Sequence, residues 1–471
     1  MELLDTIAAI STPHGKGGVA MLRVSGADAI AVASRVFVSK SGKQLNEINA
    51  RVATYGTILA PEGQEWLPVD DGVATVYRAP ASFTGEDTVE ICCHGGILLT
   101  QTVLSALLSA GARMAGAGEF TRRAFLNGKL GLGAAEALGS LLEAQSRGQM
   151  TLALGGLHGK LEARSRACYE QLRTVLTSVL ACIDFPDEDL SEMSREDMTA
   201  ALSATLSELD ALGKTYRTGH AIAEGIPTVI CGRTNVGKSS LYNRLLGREA
   251  AIVTDIEGTT RDILSETTTL GQVTLRLFDT AGLRQTDDTV ERIGIDRAYR
   301  AMEEAELIFA LFDLTRPLTE DEQTMLAELA DKQKAGVSVI GLLNKADAST
   351  DAAVAEQTEG AVRAKIARVL PVSAQTGEGM EALARLVDDM FVDGSISLRD
   401  DAVVVNARQM ATVTQAREAL ARALDALFAG LPMDLCCVDL TAAMSALSEL
   451  DGREIGEDVV SEIFSHFCVG K

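Results

Sequence analysis

The sequence predicts a multidomain protein that combines α/β and all-α parts, and three observations carry that expectation. The stretch Ile226 to Leu246 reads as strand, glycine loop and helix. Further apolar strands follow it, each ending in a short polar motif. Segments rich in Ala, Leu, Glu and Arg, with few strand formers, lie on both sides (Gly128 to Gly225, and from Ala407 onward), as they would around an inserted domain.

In the central stretch, the β-branched run Ile226 to Cys231 meets Gly232-Arg233-Thr234-Asn235-Val236-Gly237-Lys238-Ser239-Ser240. Backbone N–H groups of such a loop and the N-terminus of the next helix point at the same phosphates. Lys238 is placed to reach the outer phosphates and Ser239 to hold Mg²⁺. Glycine fits at 232 and 237 because a Cβ would restrict the turn or block close approach.

Later strands decide the base. Gln272 to Phe278 alternates as a strand and ends in Asp279-Thr280-Ala281-Gly282, where a carboxylate can meet Mg²⁺ through water and a glycine N–H can sense a γ-phosphate. Val337 to Leu343 ends in Asn344-Lys345-Ala346-Asp347. A carboxylate at Asp347 accepts from N1–H and the 2-amino group of guanine, whereas adenine would leave it unpaired. After the short strand Val369 to Val372, Ser373-Ala374-Gln375 fits the loop that covers the base. The expectation is GTP, held by an inserted Ras-like P-loop G domain.

Composition bounds the rest. The 471 residues suffice for about three domains. A net charge of −23 excludes a broad basic face for nucleic acid, so any RNA contact is local or supplied by a partner. Eight Cys without a C-x-x-C suit a reducing cytosol and no zinc framework. No run approaches transmembrane length, and the expected localisation is cytoplasmic.

In the first 127 residues, Gly18 to Val24, Val73 to Tyr77 and Thr88 to Cys92 read as strands and Leu98 to Ala110 as a helix, a mixed α/β domain. Gly15-Lys16-Gly17-Gly18 precedes a strand instead of a helix, so it is no phosphate loop. His94-Gly95-Gly96 reads as a turn. Ala134 to Ala144, Leu161 to Ala181 and Ala407 to Ala429 carry helical apolar spacing, interrupted near Gly155, Gly156 and Gly159. The acidic run Asp184 to Asp189 reads as a solvated loop before a helix, with a capping box at Ser194-Arg195-Glu196-Asp197.

Leu283 follows Gly282, so the glutamine that orients water in Ras has no counterpart there. The loop Ala250 to Asp262 is dense in carbonyls and hydroxyls. Together with Asn235 it could hold a monovalent cation near the α- and γ-phosphates; alternatively Asn235 only tolerates the turn.

The sequence resembles the tRNA modification GTPases of the MnmE (TrmE) family along its whole length. The specific pieces are Ser82-Phe83-Thr84-Gly85-Glu86-Asp87, the run Gly118 to Lys129, Ile183 to Glu188 and the tail Phe467-Cys468-Val469-Gly470-Lys471. The resemblance implies four segments: a folate-binding and dimerising domain (1–127), a helical domain in two parts (128–225 and 390–471), and the G domain (226–389). It implies K⁺ ligands at Asn235, Thr254, Ile256 and Thr259, and Mg²⁺ ligands at Ser239 and Thr260. The segment Thr254-Asp255-Ile256-Glu257-Gly258-Thr259-Thr260 would face the nucleotide, and Glu291 would orient water, although by spacing alone Glu291 is a surface helix acid. Folate contacts would come from Arg23, Glu90, Lys129 and Lys471.

Cys468 matches a cysteine considered as a nucleophile in the family, and also suits a packing role. Thr234 stands where the family usually has Pro, and Val469 where it has Ile. The implied activity is K⁺- and Mg²⁺-dependent GTP hydrolysis in a homodimer that works with an FAD-containing partner, MnmG (GidA). The pair would use 5-formyl- or 5,10-methylene-tetrahydrofolate to modify C5 of the tRNA wobble uridine with a carboxymethylaminomethyl or aminomethyl group. Two other readings stand beside it: a regulatory or ribosome-assembly GTPase without modification chemistry, and a free-standing folate-dependent transferase.

Overall fold

A computed structural model describes residues 5–184, 193–247, 265–278, 305–349, 351–453, 456–465, 467, 469 and 470. The chain divides into two compact units. One comprises Met1–Gly139, Gly156–Arg173 and Met444–Lys471, the other Ser140–Gly155 and Thr174–Ala443.

The first unit is built on a seven-stranded sheet of order β3-β4-β5-β6-β2-β1-β7. Its strands are β1 (Ile7–Ile10), β2 (Val19–Ser25), β3 (Phe37–Ser39), β4 (Thr54–Glu62), β5 (Glu65–Tyr77), β6 (Thr88–His94) and β7 (Arg113–Met114). Helices α1 (Ala29–Val36) and α2 (Ile97–Ser109) supply the core with Val36 and Leu107, which meet Val24, Ile58, Val76 and Ile91 of the sheet. Beyond it, α3 (Glu119–Leu126) contributes Phe120 to a small cluster with Ile7, Ala9 and Ala115.

Strand β5 starts eight residues before the predicted Val73, at Glu65. The reason is visible at Pro68. Residues 65–72 pair only with β4, and β6 joins from Val73 onward, so a residue without an N–H sits where β5 has one neighbour. A register shift between Ile58 and Leu59 lies beside it.

Helices α4 (Leu132–Glu143), α5 (Arg147–Leu157), α6 (Lys160–Asp184) and α7 (Arg195–Ala223) follow. Gly155 and Gly156 lie inside α5, and the break comes only at Gly159, at φ +68°. Ser194 caps α7 by accepting from the Asp197 N–H at 3.0 Å, and its hydroxyl donates to the Asp197 carboxylate at 2.7 Å.

The second unit contains a six-stranded sheet of order β13-β12-β11-β8-β10-β9. The strands are β8 (Ile226–Gly232), β9 (Ser265–Leu270), β10 (Val273–Phe278), β11 (Leu307–Asp313), β12 (Ser338–Asn344) and β13 (Arg368–Pro371); all neighbours are parallel except β9 on β10. A strand covered on both faces needs apolar residues at every position, and Leu307 to Phe312 supplies that run. Leu307 and Phe309 join a core with Leu241 and Leu245 of α8 (Lys238–Gly247) and Leu383 of the helix Met380–Phe391. Ile308 and Phe312 face the helices Glu320–Lys334 and Ala352–Arg363 through Leu326, Leu329 and Val362.

The end of α7 seats this sheet. Thr218 Oγ1 accepts from the Asp393 N–H at 2.9 Å, Thr215 Oγ1 accepts from the Val404 N–H at 3.0 Å, and Thr274 Oγ1 donates to the Ile222 carbonyl at 2.9 Å. Chain entering the sheet at Ile226 and chain leaving it after Phe391 are thus fixed to the same turns. From there the helix Ala407–Phe428 packs back along α7.

Candidate nucleotide-binding site

The glycine loop lies between the carboxyl end of β8 and the first turn of α8, where the strand order reverses on either side of β8. Ligands of open α/β sheets bind at such a point. Three residues bend the backbone into the left-handed half of φ space: Gly232 at +146°, Asn235 at +64° and Gly237 at +107°. For Asn235 this conformation costs a side chain little, since Asn tolerates it better than most residues. At Gly237 no side chain fits, because a Cβ would collide with Asn344 Nδ2.

Lys238 Nζ donates to the carbonyls of Gly232 at 2.7 Å and Arg233 at 2.8 Å, folding the amine over the loop whose amides would surround phosphate. Ser239 and Ser240 follow in the first turn, where a hydroxyl can enter a metal's shell. Beneath the loop, burial pushes the Cys231 thiol up to about 12, so it is inert packing.

The base-side motifs converge on one buried amide. Asn344 donates from Nδ2 to the Val236 carbonyl at 2.7 Å and accepts at Oδ1 from the Ala374 N–H at 2.9 Å. It therefore ties phosphate loop to Ser373-Ala374-Gln375. Lys345, at φ +65°, pairs through Nζ with Asp313 Oδ2 at 2.6 Å. Burial alone would raise the Asp313 carboxyl, but the hydrogen bonds from Lys345 and Thr315 outweigh it and hold it below the usual range. Ala346 donates its N–H to the Val372 carbonyl at 3.2 Å, and Asp347 is exposed beside it, free of the buried hydrogen bonding that engages Asn344.

Sequence reasoning missed two residues here. Asp313, closing the apolar strand β11, holds Lys345 in place; a carboxylate ending a fully buried strand was the available signal. Arg244 of α8 donates from Nε to the Ala374 carbonyl at 2.6 Å and from Nη2 to the Gln375 carbonyl.

A second cluster lies in the first unit. Arg23 and Glu90 stand opposite each other in register on β2 and β6, with Nη2 at 2.8 Å and Nε at 3.0 Å from Oε1. The guanidinium lies 5.1 Å from the Phe83 ring centre and 5.6 Å from that of Phe120. Burial, then the charge of Glu90, pushes the Tyr77 phenol up. The run Ser82 to Asp87 meets the run Gly118 to Lys129: Asn127 Nδ2 donates to the Thr84 carbonyl at 2.7 Å, and a Cβ on Gly85 would stand 3.3 Å from Lys129 Cγ. Lys129 Nζ reaches the Pro80 carbonyl at 3.0 Å.

Comparison with known proteins gives the lineage. A family model for the MnmE helical domain matches residues 132–468, and one for the GTP-binding protein TrmE N-terminus matches residues 6–129. The tRNA modification GTPase MnmE of Symbiobacterium thermophilum is 42% identical over 470 residues, 99% of each chain. The chain belongs to the MnmE family of tRNA modification GTPases.

Another MnmE relative, from Moorella thermoacetica, is 41% identical over 468 residues, again 99% of each chain. Among solved structures, an Aquifex aeolicus Era variant bound to GDP and aluminium fluoride is 22% identical at a TM-score of 0.29, covering 41% of this chain and 65% of that one. As an MnmE family member the chain is a GTP hydrolase, with an N-terminal TrmE domain, a helical domain and the six-stranded α/β sheet that carries the phosphate loop.

Of the residues expected from sequence, Asn235 to Ser240, Asn344 to Asp347 and Ser373 to Gln375 come together around one loop, and Arg23, Glu90 and Lys129 belong to the N-terminal unit. Thr254 to Thr260, Asp279 to Gly282, Glu291, Cys468 and Lys471 lie outside the described residues. Among the described residues no helix is long and apolar enough to cross a membrane.

Proposed function

We propose that this MnmE family member is a K⁺-dependent GTPase that acts on tRNA in the cytoplasm, as a homodimer together with an FAD-containing partner of the MnmG (GidA) kind. It uses a one-carbon unit from a methylene-tetrahydrofolate derivative to place a carboxymethylaminomethyl or aminomethyl group at C5 of the wobble uridine. The segments are 1–127 for folate and dimerisation, 128–225 and 390–471 for the helical body, and 226–389 for GTP hydrolysis.

The observation that carries the reading is end-to-end similarity to tRNA modification GTPases in a chain that holds both a complete phosphate loop and the Arg23–Glu90 cluster. Asn235 stands in that loop at φ +64° and is exposed, and an amide oxygen is a suitable donor for K⁺. Thr254, Ile256 and Thr259 would complete the set. Bound there, K⁺ would supply positive charge where some GTPases use an arginine. Ser239 and Thr260 would hold Mg²⁺, Asp347 would read the guanine edge, and Glu291 would orient water.

In the N-terminal unit, a carboxylate such as Glu90 can pair with the guanidine-like edge of a pterin, and the exposed Phe83 offers aromatic surface to its ring. Lys129 and Lys471 would suit the glutamate tail. Cys468 is placed by its motif at the same end of the chain, as a nucleophile toward uracil or as a lining residue. The net charge of −23 leaves most of the tRNA to the partner.

The test is GTP turnover in K⁺ against Na⁺. The native chain is expected to hydrolyse GTP at least about tenfold faster in K⁺, and Asn235→Ala to abolish the difference. Equal native rates in the two salts would remove the cation reading. Loss of modified wobble uridine on deletion, restored by the native chain, separates the modification reading from a bare regulatory switch.

A further inference from the structure

We infer that Arg244 is a positioning residue for guanine recognition, fastening the Ser373-Ala374-Gln375 loop to the helix that starts at the phosphates. The inference rests on the reading that Asp347 and this loop receive the guanine base. It adds a residue that no sequence motif contains.

The geometry is two-sided. Asn344 grips the loop at the Ala374 N–H, at 2.9 Å. Arg244 grips the opposite edge of the same peptide run, through the carbonyls of Ala374 at 2.6 Å and Gln375. A guanidinium offers two donors in a fixed fork and stays charged at any working pH, so these are charge-assisted bonds to neutral carbonyls. The loop's turn is closed independently by the Gly377 N–H on the Ser373 carbonyl at 2.8 Å and by the Thr376 N–H on Ser373 Oγ at 3.0 Å. Arg244 therefore is not needed to form the turn. What it fixes is where the turn stands relative to α8.

That relation matters because α8 begins at Lys238, six residues earlier, or about 9 Å along the helix axis. One rigid rod thus carries the phosphate grip at its first turn and the loop anchor near its last. Gly377 belongs to the arrangement: its φ is +92°, and a Cβ there would stand 2.8 Å from Arg244 Nη1. Without the anchor, the loop keeps its internal turn but loses its register over the base. Bound guanine nucleotide then leaves faster, while the phosphate end, where hydrolysis occurs, is left as it was.

The experiment uses the full chain with Arg244→Met, Arg244→Lys and Asp347→Asn. Fluorescent GDP dissociation is followed by stopped flow, steady-state hydrolysis gives KM and kcat, and thermal unfolding of the nucleotide-free chains reports folding. Arg244→Met is expected to speed GDP dissociation about tenfold, with the loss falling on KM rather than kcat. Arg244→Lys, which reaches one carbonyl at a time, is expected to fall between. Asp347→Asn tests the base reading separately: preference should move from GTP toward XTP.

Unchanged dissociation in Arg244→Met alongside a switched preference in Asp347→Asn overturns the Arg244 inference alone. No switch in Asp347→Asn overturns the base-site reading beneath it. Should Arg244→Met fail to fold, native-like dissociation in Arg244→Lys and in a third variant, Arg244→Gln, would overturn the inference equally.

Discussion

Gly237 shows how a single missing atom shapes the site. Its φ of +107° is one that side chains rarely adopt, and the space a Cβ would take belongs to the Asn344 amide. Gly237→Ala must displace Asn344, which also breaks the bond to the Val236 carbonyl. The expected cost is roughly 2–3 kcal/mol, about a hundredfold in GDP affinity, readable by titration with a fluorescent nucleotide. Affinity within threefold of the native value would show that Asn344 yields easily.

Glu162 of α6 makes the opposite point about stability. Both carboxylate oxygens are buried without a hydrogen-bond partner among the described residues, and Glu136 adds a like charge. Burial, the largest influence, raises its pKa, so folding favours the protonated form. The folded chain then binds a proton the unfolded one has released, and Glu162 costs stability as pH rises above the unfolded value of 4.5. Glu162→Gln is expected to stabilise the chain by about 1 kcal/mol at pH 7, with the gain fading toward pH 4 in denaturant titrations. Asn235, Lys238 and Asn344 were legible in the sequence because each belongs to a spaced pattern. Arg244 was not, since one arginine on a helix carries no signal until its partners are seen.

At the level of elements, strands bounded by Gly or by polar motifs were readable: β8, β10, β12 and β13 fall within two residues of expectation at each end. The hairpin of β4 and β5 was not. Pro68 argues against a strand unless it is known that β5 has a single neighbour there, which is information held by the sheet. Gly155 and Gly156 misled in the other direction, because a helix with tertiary support tolerates the small penalty each brings.

The end of α7 carries a pH-sensitive contact. His220 stacks on Tyr216 at 5.1 Å and lies 3.2 Å from Glu224 and 3.8 Å from Glu306, which precedes β11. The neighbouring carboxylate of Glu224, then that of Glu306, raises its pKa from 6.5 to about 9. A raised histidine pKa gives stability that is complete below pH 6.5 and lost as pH rises through about 9. Denaturant midpoints measured from pH 6 to 10 should fall across that window in the native chain and be flatter in His220→Gln. Parallel slopes would place the sensitivity elsewhere.

For the whole molecule, the first compact unit draws on three separated stretches of chain. The terminal helix Glu457–Ser465 lays Val460 and Phe464 against Ala135, with Phe125 and Phe467 alongside. Burying a Val and a Phe stabilises by roughly 3–5 kcal/mol together. A chain ending at residue 453 should therefore unfold at markedly lower denaturant, and an unchanged midpoint would show that the tail is not needed to cover this core. Sequence composition revealed helices on both sides of the inserted sheet, but only the folded chain shows that residues from Met444 onward belong with the N-terminal sheet domain.

The seat formed by Thr215, Thr218 and Ile222 has a consequence for the insert itself. Because the polypeptide departs and returns at neighbouring turns of one helix, the six-stranded sheet is a cassette. A short bridge could replace it without separating α7 from the helix Ala407–Phe428. Among the described residues, a change of state in the guanine-nucleotide module can reach that helical pair through this root.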